Sequence, residues 1–178
     1  MNILLIWFGK IFSHFINLFS LGGGSTWPGH IALSINESFS REVLKDSRIK
    51  IVLIAGTNGK TTTSKIIRTI LEGNGRKVLV NAAGANLENG LASTLIKGSN
   101  SFGKINQDFL IFESDENTLP LIFKKITPNF LILLNLFRDQ LDRYGEIDSI
   151  AKKWEFAVQK LNKKTKIIAN ADDASIVY

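Results

Sequence analysis

The feature that most narrows what this chain can become is the junction at Ile51–Thr63. There a short aliphatic run, Ile51-Val-Leu-Ile-Ala55, breaks into Gly56-Thr-Asn-Gly59 and then into Lys60-Thr-Thr-Thr63. A continuous run of β-branched and aliphatic residues predicts a parallel strand buried on both faces. Gly56 and Gly59 let the backbone turn and approach a ligand closely, so that successive N–H groups can point at an anion. Beyond them Ile66, Ile67, Ile70 and Leu71 recur at helical spacing and Gly73 and Gly75 end the run, which predicts a helix whose N-terminus faces the turn. Free N–H groups, the helix dipole and the Lys60 ammonium then converge on one point, where a polyphosphate fits. In that arrangement Lys60 reaches the outer phosphates and the Thr61 hydroxyl joins a Mg²⁺ ion that bridges them. The general phosphate-loop pattern is met imperfectly, because Ile54 stands where its first glycine belongs.

Four more apolar runs follow the same logic. Arg76–Asn81, Asp108–Phe112, Asn129–Leu134 and Lys166–Asn170 read as strands, alternating with helices near Leu91–Ile96, Thr118–Ile126 and Ile147–Leu161, the last with Trp154 buried. The expected fold is α/β: a P-loop-type, mostly parallel sheet flanked by helices, over residues 49–178, preceded by a small helical and linker region over residues 1–48. In that first region Asn2–Leu21 reads as an amphipathic helix. Lys10, Ser13, His14 and Asn17 form its polar row and Leu4, Ile11, Phe15 and Leu18 its apolar face, which suits packing on the protein body or lying on a membrane surface. Leu21–His30 reads as a turn-rich linker and Ile31–Leu33 as one short strand.

Loops after the carboxyl ends of parallel strands are where such sheets bind ligands. Three of them are rich in polar groups. Asn86 lies in the loop after the second strand, as a substrate or nucleotide contact or simply as a turn residue. Glu113, Asp115 and Glu116 follow the third strand; Glu113, the first acid past the apolar run, suits the Mg²⁺ shell, and Glu116 suits a helix cap. After the fourth strand comes Asn135-Leu-Phe-Arg138-Asp139-Gln140-Leu-Asp142-Arg143, a cluster dense enough in polar groups that some should face the site. The net charge of +6 is spread among acids, so composition does not indicate nucleic-acid binding. The chain has no cysteine, which excludes disulfides and thiolate metal sites within it and fits a reducing, cytoplasmic setting.

Gly56-Thr-Asn-Gly-Lys-Thr-Thr-Thr63, Gly84-Ala-Asn86, Phe112-Glu-Ser-Asp-Glu116 and Asn135–Glu146, in this order, resemble the Mur ligase superfamily. Within it they are similar to the MurT subunits of lipid II isoglutaminyl synthases, a likeness that also takes in the first helix and Trp27-Pro-Gly29. Peptide-adding Mur ligases usually carry Asp-His where this chain has Asp139-Gln140, and a carbamylated lysine near the place of Trp154.

The resemblance implies ATP and Mg²⁺ as cofactors, with Gly56, Thr57, Asn58, Gly59, Lys60, Thr61, Thr62 and Asn135 at the nucleotide. It further implies Lys60 and Glu113 in catalysis, Thr61 and Glu113 on the metal, and Asn86, Arg138 and Asp139 toward the substrate. The implied reaction is amidation of the D-glutamate carboxylate of the lipid II stem peptide through an acyl phosphate. Ammonia would come from a GatD-like glutamine amidotransferase partner, in the cytoplasm and at the inner face of the membrane. A Mur-type amino-acid ligase and a non-catalytic ATP-binding remnant are the alternatives. Members of this family run on into a longer central domain and a C-terminal domain, so the chain is expected to be incomplete and to leave an apolar sheet edge exposed.

Overall fold

The computed structural model describes residues 2–18, 26–45, 47–81, 84–137 and 146–177. Its elements run in the order α1 (Asn2–Leu18), α2 (Trp27–Ile35), α3 (Phe39–Lys45), β1 (Lys50–Ala55), α4 (Lys60–Gly73), β2 (Val78–Val80) and α5 (Glu88–Gly98). They continue with β3 (Phe109–Ser114), α6 (Leu119–Phe123), β4 (Phe130–Leu133), α7 (Glu146–Gln159), β5 (Lys166–Ala169) and α8 (Ala174–Val177). All five strands lie where the apolar runs predict them. They form one parallel sheet in the order β2-β3-β1-β4-β5.

Side chains along a strand alternate between faces, and β1 shows the consequence. Val52 and Ile54, with Ile111 and Ile132 of the neighbouring strands, pack under Ile67 and Leu71 of α4. Ile51, Leu53 and Ala55 face the opposite way, into the larger core. There they join Leu110, Phe112 and Leu131 and side chains from α1, α2, α3, α5, α6 and α7. The sheet is thus covered by α4 on one side and by most of the other helices on the other, which is why β1 has no polar face.

Two short helices, α3 and α8, have no counterpart in the sequence-based expectation, and one expected strand is a helix. Ile31–Leu33 is not a strand but the middle of α2, which begins at Trp27, within the stretch read as a linker. Pro28 sits in the first turn, where its missing N–H costs nothing. The helix is held by α5: a Cβ on Gly29 would lie 2.6 Å from the Ser93 nitrogen and closer still to the Asn89 carbonyl oxygen. Only glycine permits that approach, and the Gly29 N–H donates to the buried Ser93 hydroxyl (2.8 Å).

Helix α1 packs on the body, but by a narrow strip. Leu5, Ile6 and Gly9 are buried, with Gly9 against Ile96 and Pro28. Lys10, from the polar row, turns in to donate to the Ser99 carbonyl, while Leu4, Ile11 and Phe15 of the apolar face are exposed. The side chain of Leu18, the fourth member of that face, lies outside the described residues. At the other end of the sheet, β5 exposes Ile167 and Ile168.

Candidate functional site

The connections out of β1 and β3 leave in opposite directions: β1 leads to β2 at one edge, and β3 leads past β1 to β4 on the other side. A crevice opens at the carboxyl ends of two such neighbouring strands, and ligands of α/β sheets bind there. Two chemical loops meet in it.

The first is Gly56–Gly59. Gly56 (φ +152°) and Gly59 (φ +85°) have backbone angles that other residues rarely adopt, and a Cβ at Gly56 would come within 2.9 Å of Leu134. The loop is fastened to the end of β4 by Asn135. The Thr57 N–H donates to its carbonyl (3.0 Å), the Asn58 N–H to its Oδ1 (2.9 Å), and its Nδ2 to the Asn58 carbonyl (3.1 Å). Thr57 Oγ1 also accepts from the Phe137 N–H (3.1 Å). Asn135, expected at the nucleotide, braces the Gly56–Gly59 loop through its backbone carbonyl, its Oδ1 and its Nδ2. The N–H groups of Thr57 and Asn58 are spent on it. Gly59, Lys60, Thr61 and Thr62 N–H, at the start of α4, have no acceptor among the described residues, and no side chain caps that helix. These are the donors free to take a phosphate.

The second loop follows β3. Alternation puts Phe109, Ile111 and Glu113 on the α4 side of the sheet. Glu113 is therefore aimed at the first turn of α4, and its Oε2 accepts from the Thr61 hydroxyl at 2.7 Å. The Glu113 carboxylate is a buried acid, only 5% exposed. Just past the strand, Asp115 lies 3.5 Å from the Lys60 ammonium, which also donates to the carbonyls of Gly56 (2.5 Å) and Thr57 (3.1 Å). The structure thus brings together Lys60, Thr61 and Glu113 as expected, and adds Asp115.

Asn86 joins the same group, because its Nδ2 donates to Asp115 (3.0 Å). Behind it stands Asn81, a buried residue to which sequence reasoning assigned no role. Its Oδ1 accepts from the Glu113 N–H (2.9 Å), and its Nδ2 donates to the carbonyls of Glu113 (3.2 Å) and Ala85 (2.9 Å). Its amide so prolongs the β2–β3 pairing by one step and ties the Asn86 loop to Glu113. The signal available in the sequence was its place as the first polar residue after β2. Glu116 does not cap a helix with its side chain; its carbonyl accepts from the indole of buried Trp154 (2.7 Å). Arg138, Asp139 and Gln140 lie outside the described residues.

A Mg²⁺ ion fits the pair Thr61 and Glu113. Oxygen ligands at about 2.1 Å in an octahedron stand roughly 3 Å apart when adjacent, and these two oxygens are 2.7 Å apart. Among the described residues no group of three His, Cys, Asp or Glu could hold a metal by itself.

A strand, a glycine loop, a lysine-threonine pair at a helix start and a buried acid on the adjacent strand is a nucleotide-site arrangement, and the sequence around it has relatives. The sequence pattern of the Mur ligase middle domain matches residues 54–178. The chain belongs to the Mur ligase family. The MurT subunit of lipid II isoglutaminyl synthase (glutamine-hydrolyzing) from Staphylococcus aureus (strain COL) is 38% identical over 150 residues, a match covering 84% of this chain and 33% of that protein. The MurT subunit of Streptococcus pneumoniae (strain ATCC BAA-255 / R6) is 36% identical over 160 residues, covering 90% of this chain and 34% of that one. The chain spans about a third of the length of these relatives. Among solved Mur ligases, MurF from Thermotoga maritima in complex with ADP matches with a TM-score of 0.62 and 23% identity, over 75% of this chain and 31% of that one. At that identity the likeness is one of fold, and the parallel sheet described above is the Mur ligase fold.

Proposed function

We propose that the chain supplies the ATP-binding part of a peptidoglycan-synthesis ligase that amidates the D-glutamate carboxylate of the lipid II stem peptide. The observation that carries this reading is the constellation at the start of α4: uncapped N–H groups, Lys60, and Thr61 within 2.7 Å of buried Glu113. The similarity to MurT subunits supports the substrate class.

In this mechanism the N–H groups of Gly59 to Thr62 and the Lys60 ammonium hold the β- and γ-phosphates of ATP, and Thr61 and Glu113 hold Mg²⁺. The ion's contribution is to offset charge on the phosphate oxygens. A carboxylate oxygen of the substrate attacks the γ-phosphorus, the bond to the β–γ bridging oxygen breaks, and ADP leaves. The product is an acyl phosphate whose carbonyl carbon now carries a good leaving group. Ammonia adds its lone pair to that carbon, phosphate departs, and a proton is lost to give the amide. Lys60 acts by stabilising charge that develops on the transferred group. Asn81 and Asn135 act as positioning residues, one behind Glu113 and the other behind the loop. Asn86, Arg138 and Asp139 are proposed to face the substrate.

We take ammonia release from glutamine to fall to a GatD-like amidotransferase partner, whose thiolate nucleophile these 178 residues do not supply. The proposed setting is the cytoplasm, at the inner face of the membrane that holds the lipid-linked substrate. Amidation is favoured over amino-acid ligation by the family resemblance, in which Trp154, here a buried indole hydrogen-bonded to Glu116, stands near the place of the ligases' carbamylated lysine. The test is a product assay on the protein with its amidotransferase partner, lipid II, glutamine and ATP. Amidated lipid II is the expected product; a product that instead incorporates a free amino acid would replace this reading with ligation.

A further inference from the structure

We propose that the outer face of α1, together with the basic cleft at its N-terminal end, docks on an anionic phospholipid bilayer. Ile3, Leu4, Trp7, Phe8 and Ile11 stand about half or more in solvent, Leu4 at 74% and Ile11 at 63%. Contiguous apolar exposure of this kind on a water-soluble body marks an interaction surface. The helix carries no acidic residue. Beside it, residues 99–105 fold back through a bridge between Ser99 and Ile105, and the Asn100 side chain accepts from the N–H groups of Phe102 (2.9 Å) and Lys104 (3.0 Å). That turn holds Phe102 outward at 77% exposure, with Lys104 next to it.

Charge decides the occupant. Ile3 and Phe102 also line a cleft at the foot of β1 and β3 that carries Arg48, Lys50, Arg76 and Lys104, all exposed. Its acids are already engaged: Glu42 accepts from the side-chain amides of Asn2 (2.7 Å) and Asn36 (3.0 Å), and Asp108 from the Lys77 N–H (2.8 Å). Among the described residues none of the four cations pairs with a carboxylate. Apolar side chains adjoining cations that no carboxylate neutralises match a bilayer interface, where the former enter the headgroup boundary and the latter meet lipid phosphates. No helix is long and apolar enough to cross a membrane among the described residues, so α1 would lie in the plane. The cleft is at the amino ends of β1 and β3 and the phosphate loop at their carboxyl ends. At about 3.3 Å per strand residue, the nucleotide site then sits roughly 20 Å above the lipid, facing away from it.

This deepens the membrane placement proposed above and rests on that placement alone, not on the amidation chemistry. The experiment is co-sedimentation of the chain with vesicles of phosphatidylcholine, with and without phosphatidylglycerol. Binding is expected to require phosphatidylglycerol and to weaken as salt rises. Leu4→Ser with Ile11→Ser should lower partitioning roughly tenfold or more, the loss for two inserted aliphatic side chains. Arg48→Glu with Arg76→Glu and Lys104→Glu should remove the preference for phosphatidylglycerol. Ile70→Ser, on the exposed side of α4, should change nothing. Failure of the chain to sediment with phosphatidylglycerol vesicles would overturn the proposal. So would wild-type binding by the Leu4/Ile11 variant, or light scattering showing that this variant breaks a dimer formed through the same face. A negative amidation assay would leave the vesicle result standing, and the reverse holds equally.

Discussion

Lys60 is held by two loop carbonyls and Asp115, contacts that an arriving polyphosphate exchanges for its own oxygens. Charge-assisted hydrogen bonds contribute about 1.5–3 kcal/mol each, so Lys60→Ala should weaken ATP binding by roughly 10- to 100-fold or beyond detection. Isothermal titration calorimetry reads this directly, and an unchanged affinity would mean that the loop does not hold phosphate. Glu113→Gln keeps an acceptor for Thr61 but removes the charge. Its expected signature is narrower: nucleotide binding that no longer tightens when Mg²⁺ is added. Asn81→Ala tests positioning instead. It strips the partners from the buried N–H and carbonyl of Glu113, at a cost of about 2–3 kcal/mol, or a fall in Tm of roughly 5–10 °C. Thermal scans would show it, and a Tm within a degree of wild type would remove Asn81 from the account. The acid of this site was legible in the sequence because it is the first carboxylate after an apolar run. Asn81, Asp115 and the bracing role of Asn135 were not, because each acts on a partner 32 or more residues away or across the crevice, and no local pattern marks such a pair.

The sheet elements announce themselves, since a central parallel strand with helices on both sides is apolar along most of its length, as β1 and β4 are. Helix α2 does not, because Trp27-Pro-Gly reads locally as a turn, and only contact with α5 repays the glycine. Two glycine substitutions separate these cases. Gly29→Ala forces a methyl into the Asn89–Ser93 backbone and should destabilise by about 1–3 kcal/mol or more. Gly73→Ala, on α4 with nothing within 4 Å of the added carbon, should stabilise by about 0.5–1 kcal/mol. Chemical denaturation of the pair checks both signs; equal shifts would mean that the α2–α5 approach is looser than described.

For the molecule as a whole, the sheet has unequal borders. β3, β1 and β4 pair on both sides, whereas among the described residues β5 pairs with β4 alone and leaves Ile167 and Ile168 exposed. An apolar unpaired edge templates association. Ile168→Lys is expected to raise the concentration at which the chain stays monomeric in light scattering, with little change in Tm; unchanged association would place the sticky surface elsewhere, α1 being the next to examine. A parallel α/β sheet flanked by helices, and the meeting of Thr61 with Glu113 at the ends of its strands, could be read along the chain. Those features follow from local rules: continuous apolar runs, glycine at turns, and donors left free at a helix start. Which way α1 turns its apolar side, that Ile31–Leu33 belongs to a helix, and that Asn81, Asn86 and Asp115 form one hydrogen-bonded support for the site were settled only in three dimensions. Each depends on contacts between segments far apart in the chain, whose energy is absent until both are in place.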